Sequence, residues 1–68
     1  MVIDTNRIYA IMAERGLCAA EVAARAGLHR QNFGAIIKRG TCQPPTAGKI
    51  AKALGVSVGE IMGKQGKG

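Results

Sequence analysis

Apolar residues along this chain recur at spacings of three and four rather than two, and glycines interrupt each run. Ile8, Ile11 and Met12 share one helical face behind Asp4 or Thr5, either of which suits an N-cap. Gly16 stands where a left-handed residue would end that helix. A second helix is predicted up to Ala26, with Gly27 after it. Its capping box pairs Glu21 with Cys18 where Ser or Thr is usual, and a thiol accepts poorly, so this cap is expected to be weak. The third helix starts near His29 or Arg30 and runs to about Lys38, before Gly40. "TCQPP" reads as a loop, and Thr46 or the prolines open a fourth helix that Gly55 closes. Ser57 to Glu60 forms an S-x-x-E box for a fifth helix ending near Gly63. With no alternation of period two, the expectation is an all-α, compact five-helix domain over residues 1–63. A flexible basic, glycine-containing tail is expected over 64–68.

The third helix has an unusual outer face. At 100° per residue Phe33, Ile36 and Ile37 fall together, while Gln31, Ala35 and Lys38 lie opposite, flanked by Asn32 and Gly34. The exposed side is therefore hydrogen-bonding at its start, flat in its middle and basic at its end. Such a face suits the major groove of DNA: Gln and Asn pair with adenine and Arg with guanine, and small residues let the backbone sit deep. It also suits close docking of another helix. A glycine inside a helix costs about 1 kcal/mol relative to alanine, so a tight approach of some kind is implied.

Charge narrows the choice. The 68-residue chain carries a formal net charge of +6. Between Glu21 and Glu60 there is no acidic residue, yet Arg25, Arg30, Lys38, Arg39, Lys49 and Lys52 all lie there. A middle that is only basic attracts a polyanion. An apolar fraction of 47% is enough for a core, although Tyr9 and Phe33 are its only aromatics. Cys18 and Cys42 are too few for a disulfide framework, and with His29 they match no metal spacing. They point to reduced thiols, Cys18 being expected as a small buried hydrophobe. No apolar leader and no run of about 18 apolar residues is present, so the expected setting is soluble and cytoplasmic. One histidine and four scattered acids offer no nucleophile–base–orienter set, so no enzyme, metal or cofactor is expected.

Residues 19–38 resemble the helix-turn-helix of the phage lambda repressor/Cro-like (XRE-type) DNA-binding family. In the twenty positions of that motif the apolar fourth, eighth, tenth, fifteenth and eighteenth are matched by Val22, Ala26, Leu28, Phe33 and Ile36. Ala23 supplies the small fifth residue and Gly27 the turn glycine at the ninth. "RIYAIMAERGL" is similar to the family's first helix, and "PPTAGKIAKALGVSVGEIM" to its last two, so the likeness covers roughly residues 4–62. Three departures stand out. Ala19 replaces a Gln that contacts phosphate in many members. Met12 and Ile37 stand where an Arg–Glu pair is common, and these two side chains are expected to touch. His29 sits where Ser or Thr usually caps the recognition helix.

The resemblance implies a sequence-specific regulator of transcription that binds double-stranded DNA, of the phage or mobile-element repressor kind. Its third helix, about 30–38, would enter the major groove. Base contacts are then expected from Arg30, Gln31 and Asn32, with Gly34 and Ala35 allowing close approach. Phosphate contacts are expected from Arg25, His29, Lys38, Arg39 and Thr41. Lys49 and Lys52 read equally as phosphate contacts or as solvated charges. A homodimer through Val58, Ile61 and Met62 would supply two half-sites, although these residues equally suit the protomer's own core. At this length no small-molecule sensing domain is expected. The alternative is a protein-interaction module on the same scaffold, such as an antitoxin or anti-regulator.

Overall fold

The computed structural model describes residues 1–63; the predicted tail at 64–68 lies outside the described residues. Five helices follow one another: α1 (Thr5–Arg15), α2 (Ala19–Ala26), α3 (Arg30–Arg39), α4 (Pro44–Leu54) and α5 (Val58–Ile61). Their starts and stops follow local chemistry. The Asp4 carboxylate accepts a hydrogen bond from the Arg7 backbone N–H at 3.1 Å, so Asp4 is the cap of α1. Pro44 and Pro45 open α4, where their fixed φ is pre-organised and their missing N–H groups cost nothing. Gly27 ends α2 at φ 73°, a conformation that costs a residue with a Cβ roughly 1–2 kcal/mol. That cost is why the turn between α2 and α3 needs glycine.

α2 packs against α3 and α4, and α5 packs against α4 and α1. Phe33, Ile8, Ile50, Leu54, Ile61 and Val22 are the largest fully buried side chains. Around them α2 buries Ala23 and Ala26, and α4 buries Ala47, Ala51 and Ala53. Small residues on the facing sides of α2 and α4 let the helices approach closely, which compensates for the scarcity of aromatics. Met12 is buried, and Ile37 packs partly buried against the same cluster.

Several details depart from the sequence-based expectation. α5 stops at Ile61 instead of near Gly63, because Met62 is already extended and pairs with Ile3 in an antiparallel bridge. Ser57 makes no side-chain cap bond. The carboxylate of its intended partner Glu60 is engaged by the Arg7 guanidinium at 3.4 Å, and Arg7 Nε also donates to the Glu60 carbonyl at 3.1 Å. Cys18 is exposed rather than buried, since an N-cap residue points out of the helix it begins. Ile61 is fully buried within the protomer and offers nothing to a dimer surface; Met62 is exposed. No strand forms among the described residues, but a second isolated bridge joins Val2 to Thr41. No described helix is long and apolar enough to cross a membrane.

Candidate nucleic-acid interface

Phe33 and Ile36 anchor α3 in the core at 1% and 7% exposure, and this fixes which side of the helix faces out. Arg30, Gln31, Asn32, Gly34, Ala35, Lys38 and Arg39 are all exposed. None of their side chains makes a hydrogen bond or ion pair with another described residue. The polar start, flat middle and basic end inferred from the helical wheel thus lie together on one accessible face. A Cβ built at Gly34 meets no heavy atom within 4 Å, and its φ is an ordinary helical one. The glycine therefore answers no packing need inside the protomer. The same is true of Gly48 in α4, but Gly34 differs in standing on an exposed face between hydrogen-bonding and cationic side chains.

The helix starts leave donors free. Neither Cys18 nor His29 makes a side-chain cap bond, which leaves the first backbone N–H groups of α2 and α3 without a side-chain acceptor. Glu21 does not close the box on Cys18; its carboxylate lies 3.6 Å from the Arg25 guanidinium one turn on. Arg25 is thus engaged by the one acid in this part of the chain. Both groups of that pair are about half exposed, so the pairing is weak, at roughly 0.3–0.5 kcal/mol. His29 is exposed at the turn between α2 and α3.

Beyond α3, Arg39 and Thr41 converge on an open groove of about 540 Å³ that Gln43, Pro44 and Thr46 also line. Neither Gln43 nor Thr46 is among the contact residues expected from the sequence, where Thr46 appears only as a candidate opener of the fourth helix. Their signal was present, as polar residues around the start of a helix opened by two prolines, but only the fold brings them beside Arg39. Cys42 lies in the same wall, and its burial raises the thiol pKa above the ordinary 9.0, against smaller opposing effects of the N-terminal amino group and Arg39. The thiol is therefore neutral at physiological pH. Lys38 is exposed one residue before Arg39 on α3, and Lys49 and Lys52 are exposed on α4. No three His, Cys, Asp or Glu side chains gather where a metal ion would sit among the described residues.

A short helix, a glycine turn and a second helix with a bare, polar-to-basic outer face define a helix-turn-helix DNA-binding domain. The chain belongs to the Cro/C1-type helix-turn-helix DNA-binding domain family, whose match runs over residues 7–65. No curated protein and no solved structure matches it.

Proposed function

We propose that the protein is a sequence-specific, double-stranded-DNA-binding transcriptional regulator, a repressor of the phage or mobile-element kind, that inserts α3 into the major groove. The observation that carries this reading is the empty space over Gly34. The fold does not require a glycine there, and the residues around it are hydrogen-bonding and cationic rather than apolar. A protein partner docking on a shaved helix would favour apolar neighbours; a groove lined with phosphates favours these.

Arg30, Gln31 and Asn32 read base edges, each good bidentate contact contributing about 1–3 kcal/mol of discrimination. Gly34 and Ala35 let the backbone approach. Lys38, Arg39 and Thr41 hold the phosphate backbone after α3, with His29 at the turn and Arg25 once it exchanges Glu21 for phosphate. The free N–H groups at the start of α2 replace the side-chain contact that Ala19 cannot make. One domain reads few base pairs, so two copies bound about 34 Å apart give useful affinity, with Met62 and the half-buried Val58 at the contact. Repression follows from occupying sites that polymerase needs. This role assigns no catalysis and places the protein's work in the cytoplasm, with the DNA.

The test is a titration against random-sequence duplex DNA at several salt concentrations. Affinity is expected to fall as salt rises. Lys38→Ala with Arg39→Ala should make the slope of log affinity against log salt shallower by about 1–2. Arg30→Ala should relax the preference in a sequence selection. Undetectable binding at low salt refutes the reading and turns attention to a protein partner for the bare face.

A further inference from the structure

The N-terminal arm, residues 1–4, runs as the middle member of three backbone segments. On one edge the Ile3 N–H donates to the Gly40 carbonyl at 2.9 Å and the Cys42 N–H donates to the Met1 carbonyl at 3.0 Å. On the other edge the Asp4 N–H donates to the Ile61 carbonyl at 2.8 Å and the Gly63 N–H donates to the Val2 carbonyl at 3.0 Å. The Ile3 side chain, 4% exposed, pins the arm into the core. Gly63 is matched to the arm. A Cβ there would lie 2.8 Å from Val2 Cγ1 and 3.1 and 3.2 Å from the carbonyl carbon and oxygen of Ile3. The backbone atoms in that contact cannot swing aside.

The arm supplies what the end of α3 lacks. α1, α2 and α4 each finish with a bond from the residue after the glycine back to the last turn: Leu17 to Met12, Leu28 to Ala23, Val56 to Ala51, all at 2.8–3.0 Å. At the end of α3 the Gly40 N–H bonds Ile36, but Thr41 is extended and makes no such bond. The carbonyl of Gly40 and the N–H of Cys42 are instead satisfied by the arm.

We infer that residues 2, 3 and 63 position the turn at 40–42, and through it the phosphate contacts of Lys38, Arg39 and Thr41; this rests on the groove reading above. The arm is a strap that fixes the turn before DNA arrives, so the ordering cost of that turn is met on folding rather than on binding. Affinity for DNA backbone then depends on a glycine far along the chain from α3, on the opposite edge of the arm from the turn.

The experiment uses the full chain and its Gly63→Val variant. Amide exchange is read at Ile3 and Cys42, with Leu17 and Val56 as references for global opening. DNA binding is read by the same salt-dependent titration. In the variant, Ile3 and Cys42 are expected to lose more protection than Leu17 and Val56, whose smaller loss reports the drop in global stability. Affinity should fall about fivefold at ~0.15 M salt, the value of one phosphate contact, and the slope should become shallower by about 1. In the Lys38→Ala, Arg39→Ala background the same substitution should cost less and leave the salt slope unchanged, because only the uncharged Thr41 contact remains to be lost. Wild-type affinity and slope in a variant whose strap amides exchange freely would overturn the inference, as would an equal loss in both backgrounds. Should Gly63→Val fail to fold, the wild-type chain decides. Reciprocity requires duplex DNA to raise protection at Asp4 and Gly63 on the far edge, and unchanged exchange there overturns it. A wild-type chain that binds no duplex at all removes the groove reading and this inference with it; a binding wild type beside an indifferent variant removes the inference alone.

Discussion

Replacing Gly34 by alanine should strengthen the free protein and weaken its hold on DNA. The position is interior to α3, has helical φ, and offers an added methyl group open space out to 4 Å. Glycine in such a place costs about 0.8–1.0 kcal/mol relative to alanine, largely through the freedom it loses on folding. A domain of this size has a total stability of roughly 3–10 kcal/mol, so the gain is a substantial fraction of it. It corresponds to a rise in Tm of about 4–8 °C, measured by circular dichroism. In the DNA complex the same methyl meets a closely approached surface. If that contact is as tight as a packed interior, the penalty is about 1–3 kcal/mol. This range is roughly a 5- to 150-fold rise in Kd. Opposite signs in the two assays are the signature. A stabilised Gly34→Ala that binds its selected sequence as tightly as the wild type, with Gly34→Leu equally indifferent, would refute insertion of this face. A destabilised free protein would refute the claim that the fold has no use for the glycine.

Three further outcomes follow from local geometry. Asp4→Ala should cost about 1 kcal/mol in urea unfolding, because the carboxylate caps α1 at 3.1 Å. Ser57→Ala should stay within about 0.5 kcal/mol, since that hydroxyl caps nothing; equal costs would contradict the assignment. Iodoacetamide at pH 8 should label exposed Cys18 ahead of Cys42. The folded-state pKa of Cys42 is raised, so its contribution to stability is complete below 9.0 and is lost as pH rises through the folded value; equal labelling rates would show that its burial is absent in solution. Met12→Ala and Ile37→Ala, combined in a double-mutant cycle, should couple by at least about 0.5 kcal/mol if the two side chains touch, and strict additivity would show that they do not.

The parts of the fold legible in the sequence are those governed by neighbours a few residues apart. Glycines 16, 27, 40 and 55 mark helix ends because a left-handed cap is a local requirement, and all four adopt it. Helical periodicity puts Phe33 and Ile36 on the inner face of α3, and the resemblance to the helix-turn-helix motif adds Val22, Ala23 and Ala26 on α2; all five are buried. What stayed hidden depends on distant partners. Ser57 and Glu60 make a sound local box, but Arg7 offers Glu60 a charged partner from the other end of the chain. "VID" is too short to show alternation, so nothing in it announces the pairing with 40–42 and 61–63. The outward face of α3 was readable as a composition, whereas the groove joining Arg39 to Gln43 and Thr46 exists only once the loop after α3 is placed.

The strap also bears on rates. Its bonds from Asp4 to Ile61 and from Gly63 to Val2 close a loop containing nearly the whole chain, whereas α2, α3 and α4 are joined by short turns. Closing the longer loop costs more entropy, so assembly is expected to begin in the central helices, with the seam forming after the main barrier. Loosening the seam should then leave the folding rate nearly unchanged and speed unfolding. The helix-turn-helix is then expected to set how fast the domain forms. The arm that joins the two ends of the domain is expected to set how long each folded molecule lasts, and so how long it escapes a protease that cleaves opened chains faster than they reclose.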